Sequence, residues 1–324
     1  MQNYRLIETI LDEKWDKLVN NSDNGNIYNY SYYLNNIESN IKVFYCFKNK
    51  ELRAGFISAY EDNNLVLNNL IIYSGIIYNK PTNKQNLSQK SSEQFQIQEF
   101  IFTEILYKYE NITLNFHPSI IDIRPILWVN YGLSLDKYAV ELRYTSYVNI
   151  SDFKSKVKLE DIELYKNASV SRRQQIRYAV KKNYTLIESR DVDKFIKFYI
   201  MTFKRQNQNV NINYISKMGN IIRYLIENKK GILYASCDEN NEIGSMAFFS
   251  WDNKRAYYMF GANDPNKRNT HTGTDILWKA FYKLQENGIN EIDLEGINSP
   301  FRGWFKLSFG GNTIPYYRIK KVKK

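Results

Sequence analysis

Two stretches of the chain share one grammar, and that repetition limits the possible folds more than any single residue does. In the first, a helix-like segment around Ile10, Trp15 and Leu18 precedes the strand-like runs IKVFYCF, LRAGFISAY and NLVLNNLIIY. A polar tract over residues 79 to 94, a helix near 95 to 109 and the strand-like ITLNFHPS follow. In the second, helix patterns near 169 to 182 and 191 to 206 lead into GILYASCD, GSMAFFSWD and RAYYMFGAND, then a loop, the helix TDILWKAFYKLQENG and the strand NEIDLEG. Helices, an antiparallel meander and a loop-helix-strand unit describe an α+β domain, here present twice. The expected division of the 324 residues is 1 to 150 and 151 to 324.

Composition removes several classes of function. The hydrophobic fraction of 43% is ample for a core, and no apolar run approaches the roughly 18 residues that would span a membrane. The start, MQNYRLIETILDEKWDKL, carries acids among its apolar positions and lacks the features of a secretory signal, so a cytoplasmic location is expected. Cys46, Cys237, His117 and His271 are too scattered for a recognisable metal cluster, and the cysteines sit in strand-like runs as small hydrophobes. No metal is expected. Residues 1 to 150 hold 14 Lys and Arg against 16 Asp and Glu, whereas residues 151 to 324 hold 31 against 18, so the halves carry −2 and +13. An anionic ligand belongs with the second half.

Three tracts carry candidate chemistry. In GANDPNKRNTHTGTDILWKAF, a helix from about Asp275 has Thr272 or Thr274 available as a cap and Gly273 to let the backbone turn closely. Exposed N–H groups there, with Arg268 nearby, would seat a pyrophosphate, although an ordinary cap reads the same way. In SVSRRQQIRYAVKKNY, Arg173, Arg177 and Lys181 recur every four residues and line one face, opposite Ile176, Ala179 and Val180. That ridge suits either solvent or a run of phosphates. The third tract is DLEGINSPFRGWFKLSFGG, residues 293 to 311, which holds four of the fourteen glycines. Strand alternation there pairs Asp293 with Glu295 on the face opposite Ile292 and Leu294, Gly296 ends the strand, Asn298, Ser299, Pro300 and Gly303 make a tight turn, and Lys306, among aromatics, either snorkels off a packed second strand or is held inside a site to meet negative charge.

Taken together, RRQQIRYAVKKNY, FYIMTFKRQ, AYYMFGAN, the Asp275 to Trp278 helix and DLEG followed by FRGWFKLSFGG resemble the Fem-type peptidoglycan-bridge transferases and the related GNAT-like acyltransferases of cell-surface polysaccharide loci. In the first half Trp15, NIYNYSYYL, YSGIIY and DIRPILWVNYG add to the likeness, which covers nearly the whole chain. The resemblance implies tandem GNAT-like domains, each a mixed, largely antiparallel sheet flanked by helices, and an acyl transfer to an amine without a covalent nucleophile.

The same resemblance places a functional lysine in the matching Phe-Lys position, here Lys306, with Phe305 shaping its pocket. Asp293 and Glu295 become candidates for amine binding or general base, or one of them for anchoring the glycine turn. Asp122 and Arg124 resemble positions near the acceptor pocket, and would equally serve as a pair holding the loop ahead of Pro125. His271 is a candidate base or a loop histidine. For the donor, RNTHTGT over residues 268 to 274 is an imperfect version of the CoA-pyrophosphate loop, assigning Arg268, Thr272, Gly273 and Thr274 to cofactor binding. Fem-type enzymes use aminoacyl-tRNA, often with a helical hairpin that has no counterpart here. The resulting expectation is an N-acyltransferase that moves an acyl group from acyl-CoA to an amino sugar carried on a nucleotide or lipid diphosphate, with Arg173 and Arg177 on its phosphates. The alternatives are aminoacyl transfer from tRNA, and a non-enzymatic binder of nucleic acid or glycan.

Overall fold

A computed structural model describes residues 4 to 81, 84 to 205, 209 and 211 to 324, excluding the side chains of Arg268, Asn269 and Phe301. The chain divides into two compact units, one of Met1–Arg143 with Pro315–Lys324 and one of Tyr144–Ile314. The division falls seven residues earlier than the expected 150/151, and the last ten residues return to the first unit, because the C-terminal strand pairs there rather than with its sequence neighbours.

Unit 1 begins with β1 (Tyr4–Glu8) and α1 (Glu13–Asn21). The single helix expected over this segment is broken because Asp12 caps α1, accepting the Trp15 N–H at 2.8 Å, while the alternating YRLIE pairs antiparallel with β2. After α2 (Ser31–Leu34) come β2 (Ile41–Lys48), β3 (Glu51–Glu61), β4 (Asn64–Val66) and β5 (Gly75–Tyr78), with β3 pairing antiparallel to all three of the others. Helix α3 (Leu87–Lys108) starts eight residues before the expected 95, since Asn86 and Gln89 form a capping box inside the tract read as loop. β6 (Thr113–Asn115), α4 (Arg124–Leu127) and the first half of β7 (Lys137–Asn149) follow, and β6 pairs antiparallel with the end of β13 (Asn312–Val322). Phe44, Phe56, Phe102 and Phe116 fill the core of this unit.

Unit 2 continues through α5 (Glu163–Asn167), α6 (Val170–Lys181), β8 (Thr185–Ser189), α7 (Val192–Arg205) and α8 (Ile212–Glu227). The expectation had no helix at 212 to 227; Asn211 caps it, and Ile215, Met218, Ile221, Ile222 and Leu225 form its buried stripe. β9 (Gly231–Cys237), β10 (Ile243–Trp251) and β11 (Ala256–Asn263) continue the antiparallel meander from β8. Then α9 (Thr272–Glu286) crosses over to β12 (Glu291–Asp293), which pairs parallel to β11 and antiparallel to β7. The crossover helix packs Ile276, Leu277, Trp278, Phe281 and Leu284 onto a core with Phe153, Phe249, Ile292, Leu294 and Phe309. The segment expected as a second strand around Lys306 is instead a helix, α10 (Pro300–Leu307). Pro300 at its first position presets the helical φ, and the following FRGWFKL has an apolar face at helical rather than strand spacing.

Both cysteines are free and buried, as small hydrophobes in their strands, and burial pushes the Cys46 thiol up to about 12. Among the described residues no helix is long and apolar enough to cross a membrane, and no group of three His, Cys, Asp or Glu is placed to hold a metal ion.

Candidate active site

The site is built where β12 stops. Asp293 ends the strand, and the next residues leave it through two consecutive left-handed conformations, Glu295 at φ 51° and Gly296 at φ 45°. Such a turn is costly for a side chain with a Cβ, and glycine at the second position lowers that cost. A Cβ on Gly303 would come within 2.4 Å of the Ile297 carbonyl oxygen, so glycine is also what lets α10 pack directly onto the chain leaving the turn. Two of the four glycines in the tract therefore set the approach of α10 to the end of β12.

That approach delivers Lys306. Its Nζ donates to the carbonyls of Leu294, at 2.5 Å, and Glu295, at 3.0 Å, and lies 4.8 Å from the centroid of the Tyr258 ring. An ammonium has three N–H donors, so two held by carbonyls leave one for a ligand. Burial pushes the Lys306 ammonium down to about 8, against the opposing pull of Glu295 and Asp293 and with a smaller push from Arg302. Lys306 is thus poised to hold or release a proton near neutral pH.

The two acids do not share a solvent face as strand alternation suggested. Ile292, Asp293, Leu294 and Glu295 are all buried, because the strand ends at Asp293 and the turn changes the direction of the next side chains. Asp293 accepts a short hydrogen bond from the Thr145 hydroxyl and the Glu295 N–H at 2.8 Å. These bonds fit it as the anchor of the turn. Glu295 itself supplies one of the two carbonyls that hold Lys306, from its left-handed position in the turn.

Arg172 was not among the residues singled out from sequence. It is 7% exposed on α6, donating to Ser308 Oγ at 2.9 Å, to Gln175 Oε1 at 2.7 Å and, through a short bond, to Thr274 Oγ1. Its guanidinium stacks 4.5 Å from Phe305 and 4.6 Å from Phe309, and burial pushes it down to about 10. The helical period contained the signal, since 172, 176 and 179 form one stripe with the buried Ile176 and Ala179. Val180, expected on that stripe, is exposed. Arg173 and Arg177 lie on the outer side, where Arg173 donates to the Lys166 carbonyl at 3.1 Å and Arg177 to the Tyr165 hydroxyl at 2.6 Å.

No family model matches the sequence, and no curated protein matches it. Solved structures do. FemX aligns with a TM-score of 0.65 at 13% identity, over 97% of this chain and 96% of that one. The C-terminal domain of a putative lysylphosphatidylglycerol synthetase from Agrobacterium fabrum gives 0.53 at 10% identity over 95% and 90%, and a tandem GNAT protein from the clavulanic acid biosynthesis pathway gives 0.51 at 7% over 99% and 98%. The chain has the tandem GNAT-like fold. At these identities the likeness establishes architecture and leaves the chemistry to the site.

In this fold the candidate pyrophosphate seat lies at the start of α9, and its residues are already engaged. Helix α9 begins at Thr272 rather than at Asp275, with His271 as the capping residue in the left-handed conformation at φ 61° and no side-chain cap. Thr272 and Thr274 are buried: Thr272 Oγ1 lies 2.8 Å from Ser245 Oγ, and Thr274 Oγ1 donates to Gln175 Oε1 at 2.7 Å. A Cβ on Gly273 would meet Asn263 Oδ1 at 3.0 Å. The side chain of Arg268 lies outside the described residues. His271 packs its ring 5.7 Å from Tyr178, and burial, with Arg172 second, pushes its imidazole below the ordinary value.

In unit 1, Asp122 and Arg124 pair with each other, Arg124 Nε to Asp122 Oδ1 at 2.9 Å and Nη2 to Oδ2 at 2.7 Å. Asp122 also lines a cavity of about 620 Å³ with Arg53, Tyr78 and Gln98.

Proposed function

We propose that the chain is an amide-forming acyltransferase whose reacting groups gather on the wall formed by the end of β12 and α10. The observation that supports this reading best is Lys306, a half-buried ammonium held by two carbonyls with one donor to spare, beside Glu295. In the reaction an uncharged amine attacks an activated acyl carbon. The C–N bond forms, negative charge builds on the carbonyl oxygen, the bond to the leaving group breaks, and the amine loses a proton. Lys306 donates its remaining N–H to the developing oxyanion. Glu295 takes the amine proton, directly or through water. Asp293 holds the turn that presents both, so it acts as a positioning residue, and Phe305 and Arg172 fix α10 against α6.

The acceptor proposed is an amino sugar carried on a nucleotide or lipid diphosphate, as in cell-surface polysaccharide synthesis, with Arg173 and Arg177 available to its phosphates. For the donor, acyl-CoA would take residues 268 to 274 as its pyrophosphate seat. The hydroxyls of Thr272 and Thr274 are turned inward, which leaves backbone N–H groups as the seat; the alternative donor is an aminoacyl ester of tRNA on the basic second half. A thermal-shift series with acetyl-CoA, CoA and tRNA at two salt concentrations separates them. Stabilisation by tRNA that fades with salt supports the aminoacyl donor, stabilisation by CoA supports the first, and silence from all three counts against the transferase reading.

A further inference from the structure

Unit 1 keeps a row of large apolar side chains in water. Between Ile121 and Leu135, Tyr131 is 79% exposed, Ile121 77%, Leu133 53%, Trp128 51% and Leu135 46%. Val140 and Leu142, two apart on β7 and so on one face, are also exposed. Scattered exposed leucines are ordinary, but a contiguous group of this kind marks an interaction surface.

The backbone that carries the group is held in place. Trp128 N–H donates to the Arg124 carbonyl at 2.9 Å, Tyr131 N–H to the Trp128 carbonyl at 3.0 Å and Leu133 N–H to the Asn130 carbonyl at 3.0 Å. The Asn130 side chain exchanges hydrogen bonds with the Tyr107 hydroxyl on α3 and donates to the Asp136 carbonyl at 2.8 Å. The Trp128 ring packs 5.5 Å from Phe95, also on α3. The tract is thus fastened to α3, and Ile123, Ile126 and Val129 enter the core while Ile121, Trp128, Tyr131, Leu133 and Leu135 stay exposed.

Its surroundings are basic. The Lys324 N–H donates to Asp136 Oδ1 at 3.1 Å, and the Lys321 ammonium lies 3.2 Å from Asp136 Oδ2. Arg124, Lys137, Lys321, Lys323 and Lys324 lie in or beside the tract, against Asp122, Asp136 and, between Val140 and Leu142, Glu141, each of which is already paired with a cation. This cationic excess is local, because residues 1 to 150 as a whole carry −2. Exposed Trp, Tyr and Leu ringed by lysines match the boundary between lipid headgroups and acyl chains, where amphipathic rings and cations are both accommodated.

We propose that this face docks on the surface of an anionic phospholipid bilayer, with Trp128, Tyr131 and Leu133 entering the headgroup region and the lysines meeting lipid phosphate. The inference does not rest on the acyl-transfer reading, and its test reads no activity. The full chain is sedimented with vesicles of phosphatidylcholine alone and with about one quarter phosphatidylglycerol, each at low and high salt. The bound fraction is expected to be at least about fivefold higher on the anionic vesicles and to fall with salt. The Tyr131→Ser/Leu133→Ser double variant removes side chains that make no hydrogen bond among the described residues. It should keep the thermal midpoint and lower vesicle partitioning by about tenfold. Because Cys46 and Cys237 are buried, a Tyr131→Cys variant can be labelled selectively with a polarity-sensitive dye, whose emission should shift to the blue with anionic vesicles. Absence of pelleting with anionic vesicles, or equal pelleting of the double variant, overturns the proposal. So does a double variant that only converts a dimer to a monomer, which would give the face to a second copy of the chain.

Discussion

The two units each set a carboxylate beside a cation on a turn, and they treat the pair in opposite ways. In unit 1 the Asp122 and Arg124 side chains are 42% and 64% exposed and satisfy each other. The hydrogen bond from Arg124 holds the Asp122 carboxyl below its usual range, and the same bond raises Arg124. In unit 2, Asp293 and Glu295 are buried, and Lys306 is bound to carbonyl oxygens rather than clamped to a carboxylate. Water screens the first pair, and its members keep ordinary charge states. In the second, desolvation outweighs the pull of the neighbouring acids and lowers the lysine to about 8. Residue type alone does not set how such a pair is charged; burial and the choice of hydrogen-bond partner do.

The largest effect expected from this contrast is on turnover. Lys306→Ala should lower kcat by about 10² to 10³, the range for loss of one oxyanion donor, with far-ultraviolet circular dichroism unchanged. A steady-state assay with the donor found by thermal shift measures it. Turnover within a few fold of the parent would remove Lys306 from the chemistry and break the contrast at its centre.

Helix α6 repeats the contrast within one element. Arg172 is buried against Phe305, Phe309 and Thr274, while Arg177, five residues on, faces outward with the Tyr165 hydroxyl as its partner. Arg172→Ala removes the donor to the buried hydroxyls of Ser308 and Thr274 and opens a cavity, so it should cost about 3 kcal/mol in urea unfolding. Arg177→Ala should stay within about 0.5 kcal/mol. Equal losses would mean that the outer ridge is structural too.

A smaller effect is a pH shift. With Lys306 pushed down to about 8, its ammonium is lost as pH rises through that value, and kcat/KM should fall there if the charged form stabilises the oxyanion. Glu295 favours the ammonium, so Glu295→Gln should move the midpoint lower, and a pH-rate profile reads the change. The stability linkage runs the other way. The folded group titrates below its ordinary 10.5, so its cost is fully present below about 8 and disappears as pH rises toward that ordinary value. A profile that rises through 8 would make Lys306 the base.

Repeated meanders, the crossover helix and the basic second half were legible in the sequence because they rest on periodicity and charge, which survive without tertiary information. Lys306, Asp293 and Glu295 were named, and the structure brings them to one wall, yet the reason offered for the acids failed. Strand alternation was carried two residues past Asp293, where the chain enters a left-handed turn that periodicity does not register. Pro300 and Gly303 suit a turn as well as the first helical turn they occupy, and the aromatic run after Pro300 fits both the strand and the helix period because it is short. Arg172 was passed over because a charged residue on an apolar stripe looks misplaced until Thr274, from 102 residues away, is seen to accept from it. Thr272 and Thr274 were read as free caps for the same reason, since Ser245 and Gln175 are distant in sequence.

The smallest effect concerns the unit 1 pair itself, and it tests whether exposure is a sufficient description of that pair. Arg124 also stacks 5.8 Å from Trp128, and Asp122 accepts the Arg124 backbone N–H at 3.1 Å, so the pair closes the first turn of α4 as well as itself. If that is its whole role, Asp122→Asn and Arg124→Ala should each move the thermal midpoint by less than about 2 °C and leave kcat within about threefold. Added salt should reduce even that difference, because an exposed pair is screened. The cavity beside Asp122 supplies the opposing outcome. A KM for the acceptor that rises about tenfold in Asp122→Asn with kcat unchanged would show a ground-state binding contact. The exposed pair of unit 1 would then be functional through access to a ligand rather than through a shifted charge.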